Sequence, residues 1–549
     1  MTFPPPAHGG HLRHLIAGEP PANPERLPIL KLTPRQQCDV EMLLTGAFSP
    51  LTGFHGRDDY LAVLQTARLA DGTLWPVPIV LDVDRAALAA IGDADSVQLL
   101  DAELHPVAVL ELGESWQPDR VLEAKIVYGT DDAAHDGVRH LLHGTAQHYL
   151  SGRLRGIRLP VCRFQADFRH APAQQRAELA AAGARASMGW FAFEPPDRGG
   201  LAELTHALHA SAADHLLVMH SPHAAPTATP PARVTARCLA ALLPRLRAVT
   251  RVSYCSVPLW PRWCGMREEV WHAIVCQNYG ADRYRMNERG TLAGGRLLPP
   301  TQIDRELPEH AREELAIRMI AADGHAPRKT SGQHTAAYMG GSIDAGTLLP
   351  EVASILLRRV ADDGGPGFAL LLTGLSGAGK SSLAHALGEA IETGYGRVVT
   401  VLDGDYSRQL LTSELGGSAA DQHRNVERHA FIGAEIVRHG GIAIIALVAP
   451  YAAARGAARR SVEAYGGFIE IYVSAPVAVC ERRDAKGIYA LFTDGSMPVS
   501  ANIASHFEAP ERPEIVADSS RYGTAALVEQ TLAYLSATGY LAPLLQVAS

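Results

Sequence analysis

Residues 374–382 read GLSGAGKSS and fit the pattern G-x-x-x-x-G-K-[ST] at all four fixed positions. The apolar run 368–373 before them predicts a buried strand, and the pattern 382–393 after them predicts a helix. Glycines let several backbone N–H groups converge on one anion, and the N-terminus of the helix adds partial positive charge. The stretch therefore predicts a phosphate-binding loop, for which the simpler alternative is a Gly-rich turn that binds nothing.

The residue types of this loop also predict its ligand. Lys380 is placed to reach the β- and γ-phosphates of ATP, and the hydroxyl of Ser381 is placed to bind Mg²⁺. We therefore expect ATP as the phosphoryl donor, with Mg²⁺ as cofactor. The predicted ATP-binding residues are the loop residues Gly374, Leu375, Ser376, Gly377, Ala378, Gly379, Lys380, Ser381 and Ser382 and, from outside the loop, Arg483.

A second apolar run over 398–403 leads into the residues LDGDYSR at 402–408. Ligands of open α/β sheets lie at the carboxyl ends of the strands. Two acids at such an end, Asp403 and Asp405, suit Mg²⁺ binding and the acceptance of a hydroxyl proton. Both are therefore candidate catalytic residues beside Lys380, and Asp403 is a candidate Mg²⁺ ligand. The simpler alternative is an Asp-Gly turn with solvated carboxylates.

Composition limits the class of protein. The chain has 549 residues, 47% of them hydrophobic, and a net charge of −8, which argues against a nucleic-acid partner. Its seven cysteines are scattered, odd in number and without a C-x-x-C pair, so we expect reduced thiols rather than disulfides or a zinc site. The sequence has no run of 18 apolar residues and no signal-peptide pattern, so we expect a cytoplasmic protein without a membrane partner.

Breaks in the sequence pattern suggest four regions. The first mixes short strands with Pro/Gly turns and includes a strand signal over 74–83 that prolines interrupt. The second alternates helical patterns with apolar runs such as 215–220 and 249–257, which predicts a parallel sheet. The third is a connection, and the last alternates strand and helix as in a phosphate-loop α/β sheet with helices on both faces. The expected boundaries are 1–150, 151–320, 321–365 and 366–549.

Six segments of the last region, in this order, carry a family resemblance. They read GLSGAGKSS, LDGDYSR, ELGGSAADQHRNVERHA, APY, CERRDAKGIY and FEAPERPEI. Together they resemble adenylylsulfate kinase (APS kinase), a family that transfers the γ-phosphate of ATP to the 3′-hydroxyl of adenosine 5′-phosphosulfate (APS) and so makes PAPS. The resemblance implies that Arg408, Asn425 and Lys486 contact APS.

The acceptor half of this pattern departs from the family. Gly417 and Ser500 stand where the family has aromatic residues that would stack on the adenine of APS. Gln422 replaces an arginine, although Arg424 is close enough in sequence to substitute for it as an APS contact. Ala449 replaces the serine that carries phosphate in some members, so the resemblance implies direct in-line transfer. We therefore expect an intact ATP half and weakened APS binding.

The first half of the chain resembles a second family. Segments such as CDVEMLLTGAFSPLTGF at 38–54 and GMREEVWHAIVCQNYGA at 265–281 are similar to ATP sulfurylase, and they follow the order of that family. The resemblance implies a β-rich, PUA-like first domain followed by a nucleotidyltransferase-like α/β domain. A sulfurylase fused ahead of an APS kinase is a known arrangement in this family.

The sulfurylase motif Q-T/N-R-N-P-x-H-x-x-H is degenerate here. The matching segment keeps Gln165 but has Asp167 for the arginine and Ala171 and Gln174 for the two histidines. A register that makes His170 the first histidine leaves no second one, and the motif G-R-D-H-A-G is also missing. Because Asp167 would repel the triphosphate that an arginine attracts, we expect this region to be catalytically inactive.

Three interpretations of the whole chain stay open. The leading one is an APS kinase whose sulfurylase-like region is a structural platform; the second is a working bifunctional sulfurylase/kinase. The third, of another class, is a regulatory or scaffold protein that binds nucleotide without turnover. Relatives of both families usually self-associate, so we expect a homo-oligomer, either a dimer or a hexamer.

The H-x-x-H pattern at His220 and His223 is predicted to lie in a surface loop.

Overall fold

The computed structural model divides the chain into two compact units, Met1–Leu357 (unit 1) and Arg358–Ser549 (unit 2). The structure describes residues 3–16, 27–101, 105–160, 168–221, 232–287, 292–293, 296–297, 301–321, 348–361, 367–404, 407, 411–483 and 506–541.

Unit 1 begins with a mixed sheet of six strands in the order β1-β4-β5-β6-β2, with β3 also paired to β6. Its strands are β1 (Ile29–Lys31), β2 (Gly53–Phe54), β3 (Leu81–Val83), β4 (Ser96–Leu100), β5 (Pro106–Trp116) and β6 (His148–Gly156). The helices of this part are α1 (Pro34–Leu44), α2 (Arg57–Thr66), α3 (Arg85–Ile91), α4 (Arg120–Tyr128) and α5 (Asp136–Arg139), with a π-helical turn at His140–Gly144.

The second sheet of unit 1 is parallel and has the order β13-β10-β7-β8-β9. Its strands are β7 (Ser187–Phe191), β8 (His215–His220), β9 (Arg251–Ser256), β10 (Arg283–Arg285) and β13 (Arg318–Ile320), and β11 (Leu292–Ala293) and β12 (Arg296–Leu297) form a separate antiparallel pair. The helices are α6 (Pro172–Ala181), α7 (Arg198–Ala210), α8 (Ala232–Arg247), α9 (Met266–Asn278), α10 (Gln302–Glu314) and α11 (Pro350–Ala361), which begins in unit 1.

The types of sheet predicted for unit 1 are confirmed, and the bounds of one predicted strand are corrected. The β-rich first part and the parallel sheet of the second part are both present. The strand expected over 74–83 is confined to Leu81–Val83. The reason is that Pro76 and Pro78 lack the N–H groups that a strand pairs with.

Unit 2 is a parallel five-stranded sheet in the order β15-β16-β14-β17-β18. The strands are β14 (Phe368–Thr373), β15 (Val399–Asp403), β16 (Ile442–Ala446), β17 (Gly467–Ser474) and β18 (Ile515–Asp518). The helices are α12 (Lys380–Tyr395), α13 (Ala419–Arg438), α14 (Ala452–Glu463), α15 (Val477–Arg483) and α16 (Thr524–Ala537).

Helices cover both faces of this sheet. Along β14, the side chains of Phe368, Leu370 and Leu372 pack in one cluster with residues of α12 and α16. The alternate residues Ala369 and Leu371 pack in a second cluster with residues of α13 and α14. Because successive side chains of a strand point to opposite faces, a continuous apolar run is what a strand buried on both faces requires. The predicted phosphate-loop α/β fold is confirmed.

The six cysteines within the described ranges are buried and take part in no disulfide, and burial raises the pKa of the Cys238 and Cys255 thiols to about 12. Among the described residues, no helix is long and apolar enough to cross a membrane.

Candidate nucleotide-binding site

A cavity of about 510 Å³ lies at the carboxyl ends of the strands of unit 2. The phosphate loop, the end of β15 and the helix α13 all contribute to its walls. Residues predicted for the donor half and for the acceptor half of the site therefore share one cavity. The predicted residues in its lining are Ser376, Gly377, Gly379, Lys380, Ser381, Ser382, Asp403, Asn425 and Arg483.

Two glycines let the loop turn tightly beneath the cavity. Gly377 has a φ of +77°, and a Cβ there would lie 2.7 Å from the carbonyl oxygen of Cys480. Gly374 has a φ of +152°, and a Cβ there would collide with the carbonyl oxygen of Val473. A side chain at either position would therefore push the loop away from the strand and helix that support it.

Lys380 holds a positive charge at the loop. Its Nζ donates to the carbonyl oxygens of Gly374 and Leu375, over 3.0 and 2.8 Å. Lys380 is also the first residue of α12, and no side chain of the described residues caps that helix. The first N–H groups of α12 can therefore serve an anion, and the ammonium group lies beside them.

Arg483 and Ser519 fasten the loop from another side. The two terminal nitrogens of Arg483 lie 3.2 Å from Ser519 Oγ and 2.8 Å from Ser519 O. Ser519 Oγ donates in turn to the carbonyl oxygen of Ala378 over 2.7 Å. Arg483 therefore also positions the turn after β18 against the phosphate loop, in addition to its predicted role in ATP binding.

Asp403 is the last residue of β15 and is 7% exposed. Its carboxylate lies 3.7 Å from Nε2 of His385, a residue that the sequence analysis did not single out. His385 stands four residues after Ser381 on α12, and this helical spacing is the signal that would have placed both on one side. The Asp403 carboxylate and the Ser381 hydroxyl both line the cavity, and oxygen ligands suit Mg²⁺, so these residues fit the predicted ion.

A buried polar chain, also missed from sequence, links the end of β15 to α13. Ser407 Oγ lies 2.7 Å from the carbonyl oxygen of Asp403 and is hydrogen-bonded to Nε2 of His429. Nδ1 of His429 lies 2.7 Å from the carbonyl oxygen of Asn425. Burial lowers the pKa of His429, which favours its neutral ring. The chain connects the backbone of Asp403 to the backbone of Asn425.

Only some of the candidate acceptor-binding residues of helix α13 line the cavity. Gln422 and Asn425 line the cavity, whereas Arg424 is exposed and lies outside the lining. Residues two apart on a helix point about 200° away from each other, so both cannot face one wall. The structure brings Gln422, and not Arg424, to the cavity. A Cβ at Gly417 would meet no described atom within 4 Å, so this position has room for a side chain.

Several predicted residues lie outside the described part of the chain, and their assignments stay predictions. They are Asp405, Arg408, Lys486 and Ser500 in unit 2 and Gln165, Asp167 and His223 in unit 1.

The described residues of the sulfurylase-like motif lie on and just before α6. Ala171 is its N-cap, and Gln174 is exposed, with its Nε2 donating to Glu178 Oε1 over 3.1 Å. The surface loop predicted at His220 is wrong for that residue. His220 is the last residue of β8 and is buried, with Nδ1 2.9 Å from the carbonyl oxygen of Ala192, because the apolar strand before it continues into the core.

Comparison with protein families divides the chain into three parts. Residues 5–159 match the PUA-like domain family, residues 166–337 match the ATP-sulfurylase family, and residues 366–518 match the Adenylylsulphate kinase family. The last match contains the phosphate loop, Asp403 and Asn425.

Relatives match along nearly the whole length. A sulfate adenylyltransferase of Phaeosphaeria nodorum is 31% identical over 577 residues, which cover 98% of this chain and 100% of the relative. One of Gibberella zeae is 31% identical over 97% of this chain and 99% of the relative. A solved structure described as a hexameric APS kinase from Thiobacillus denitrificans is 29% identical, with a TM-score of 0.52, and covers 98% of this chain and 99% of that one. The chain therefore belongs to the sulfate adenylyltransferase family, in the form that carries an ATP-sulfurylase domain ahead of an APS kinase domain.

Proposed function

We propose that unit 2 transfers the γ-phosphoryl group of ATP to the 3′-hydroxyl of APS, giving PAPS and ADP. The observation that carries this proposal is the single cavity lined by Lys380 and Ser381 of the loop, by Asp403 at a strand end and by Asn425 of α13. Donor and acceptor residues must share one space, because in-line transfer needs the attacking oxygen and the leaving oxygen on opposite sides of the same phosphorus.

The residues of the cavity have different roles in the transfer. The ammonium of Lys380 and the N-terminal N–H groups of α12 bind the phosphates and stabilise the charge that develops on them. Ser381 and Asp403 would hold Mg²⁺, which would supply further neutralisation of the phosphate charge. The 3′-oxygen of APS forms a bond to the γ-phosphorus, the bond from that phosphorus to the bridging oxygen of ADP breaks, and the hydroxyl proton passes to an acid at the end of β15. Asp403 and Asp405 are the candidates for that last role.

The test is an ADP-release assay on the full chain with Mg-ATP and, in turn, APS, other adenosine nucleotides or no acceptor. We expect release that depends on APS, and a loss of about 100- to 1000-fold in Lys380→Ala, since that change removes a charge aimed at the transferring group. The matched control is Lys125→Ala, because Lys125 is a half-exposed residue of unit 1 paired with Asp131. Release without any acceptor, or equal activity in Lys380→Ala, would contradict the proposal.

We also propose that the sulfurylase domain makes no APS. The described motif positions hold the neutral residues Ala171 and Gln174, and Gln174 is exposed. The solved relative that spans both halves is named for kinase activity alone. The specific observation in favour of the second candidate, a working bifunctional enzyme, is that full-length curated relatives are named sulfate adenylyltransferases.

Two further parts of the proposal concern turnover and assembly. A protein that only binds nucleotide would not need an acid at the end of β15 in the same cavity as Ser381, so we favour turnover over a scaffold role. The hexamer named for the Thiobacillus denitrificans relative supports a homo-oligomer, and light scattering of the full chain would measure its size. A cytoplasmic location stays a prediction.

A further inference from the structure

The order of the strands in unit 2 assigns a direction to each substrate. The phosphate loop follows β14, which is the central strand of the order β15-β16-β14-β17-β18. Asp403 ends β15 on one side, and the turn after β18 lies on the other. Because the acceptor must meet the acid at the end of β15, a donor with its phosphates in the loop has to extend its base toward β18.

An aromatic ring stands at that end of the cavity. Tyr522 belongs to the turn after β18 and lines the cavity together with Ser519 and Arg483. It is 58% exposed, so most of its surface faces solvent. A single exposed tyrosine is ordinary on a protein surface, but this one borders the cavity that holds the phosphate loop.

The turn that carries Tyr522 is fastened to the loop. The backbone N–H of Tyr522 donates to the carbonyl oxygen of Asp518 over 3.1 Å, which closes the turn directly after β18. Ser519 bonds the carbonyl oxygen of Ala378 in the loop, and Arg483 bonds both the loop and Ser519. The backbone position of Tyr522 is therefore fixed relative to the phosphates that the loop would bind.

The geometry points to Tyr522 as the residue on which the purine ring of the donor nucleotide stacks. This inference depends on the proposed function only in taking a purine nucleoside triphosphate as the donor. A base stacked on an aromatic ring gains free energy without any hydrogen bond to its edges, and the ring orients the ribose and phosphates toward Lys380. Tyr522 is thus a positioning residue for the donor, with no part in the reacting bonds.

Kinetics give the first test. We expect Tyr522→Ala to raise the KM for ATP about tenfold, in the range of stacking on an aromatic ring, while kcat at saturating ATP and the KM for APS stay the same. Tyr522→Phe keeps the ring and should restore the KM for ATP. The matched control is Tyr465→Ala, because Tyr465 is 51% exposed in the same unit and packs under Arg438 outside the cavity lining. An unchanged KM for ATP in Tyr522→Ala would overturn the inference.

Fluorescence gives a second test that needs no turnover. All tryptophans of the chain lie in unit 1, so Tyr522→Trp introduces a probe into unit 2 that has no native counterpart there. We expect Mg-ADP to quench the fluorescence of Tyr522→Trp, and tripolyphosphate, which fills the loop without a base, to leave it unchanged. Tyr465→Trp should not respond to either. The native tryptophans are Trp75, Trp116, Trp190, Trp260, Trp263 and Trp271.

Calorimetry of Mg-ADP binding to the parent chain separates the two possible failures. If ADP binds the parent and Tyr522→Trp shows no quenching, the role of Tyr522 is wrong while nucleotide binding stands. If ADP does not bind the parent at all, the stacking role fails together with the proposed function. Quenching by ADP but not by tripolyphosphate, with ADP bound to the parent, supports the inference even if APS proves not to be the acceptor.

Discussion

Each unit of this chain contains a parallel sheet of five strands, and the two sheets differ at their carboxyl ends. In unit 2 that edge opens into a cavity lined by Lys380, Ser381 and Asp403. In unit 1 the residues at the same edge bond to their own domain: His220 to the carbonyl oxygen of Ala192, and Arg285 to Glu203. The comparison teaches that a parallel sheet provides a place for a site, while the chemistry depends on which side chains line a cavity at its carboxyl edge.

The largest expected effect follows from the sulfurylase domain. Sulfate and the α-phosphate of ATP are both anions, so their reaction needs positive charge, and Ala171 and Gln174 supply none. Lost contacts of about 2–4 kcal/mol each would slow the reaction by many orders of magnitude. We expect no sulfate-dependent pyrophosphate release from ATP by Lys380→Ala protein, in which kinase turnover is suppressed. A known active sulfurylase is the positive control, and release at an ordinary enzymatic rate would revive the bifunctional reading.

The next effect concerns the acid of the kinase cavity. Asp403→Asn keeps the shape of the side chain but removes its charge, so we expect kcat to fall about 100-fold or more while ATP binding changes little. Steady-state kinetics with a separate nucleotide titration measure the two effects. Glu463→Gln is the control, since Glu463 is an exposed partner of Arg459. If ATP affinity fell and kcat held, Asp403 would be a binding residue only.

A third prediction concerns how the stability of unit 1 depends on pH. Glu123 of α4 is buried and accepts hydrogen bonds from Tyr60 and Tyr149, at 2.8 and 2.9 Å. Burial raises its pKa from 4.5 to about 7, and the two tyrosine hydroxyls oppose that rise. Because the pKa of Glu123 is higher in the folded state than in the unfolded state, its protonation stabilises the fold fully below pH 4.5. This stabilisation is lost as the pH rises through 7, and the free energy of unfolding falls by about 3 kcal/mol.

Thermal unfolding of unit 1 within the full chain, from pH 4.5 to pH 8, measures this loss. We expect the midpoint of its transition to fall over that range in the parent. Glu123→Gln, which cannot ionise but can still accept from the tyrosines, should flatten the dependence. Glu111→Gln serves as the control, because Glu111 is an exposed residue of β5. An equally steep profile in Glu123→Gln would show that another group is responsible.

The smallest expected effect lies on the acceptor side. Gly417 stands where the resemblance places an aromatic ring, and a Cβ there would meet no atom of the described residues within 4 Å. Gly417→Phe should lower the KM for APS about tenfold, in line with the gain from base stacking, and should leave the KM for ATP unchanged. Gly417→Leu adds an apolar side chain of similar reach without a ring and is the control. No change in the KM for APS would mean that the acceptor base lies elsewhere.

The sequence by itself determined the phosphate loop, the strand before it and the helix after it. These features are contiguous, and their glycines and apolar run are required by local geometry, so a one-dimensional pattern is enough to locate them. The apolar runs 215–220 and 249–257 located strands β8 and β9 of unit 1 for the same reason, whereas β7, β10 and β13 of that sheet were not predicted. The prolines in 74–83 indicated that a strand there would be interrupted, and the structure confines the strand to Leu81–Val83.

Only the tertiary structure decided which polar residues share the cavity. His385 approaches Asp403 from another element, Ser407 and His429 join two elements through a hydrogen bond, and Tyr522 arrives from the far end of the sheet. Sequence proximity favoured Arg424 as the substitute for a lost arginine, but the helix points Gln422 at the cavity instead. The physical reason is that a site at the carboxyl edge of a sheet collects side chains from distant segments, and their directions are set by helix rotation and strand order.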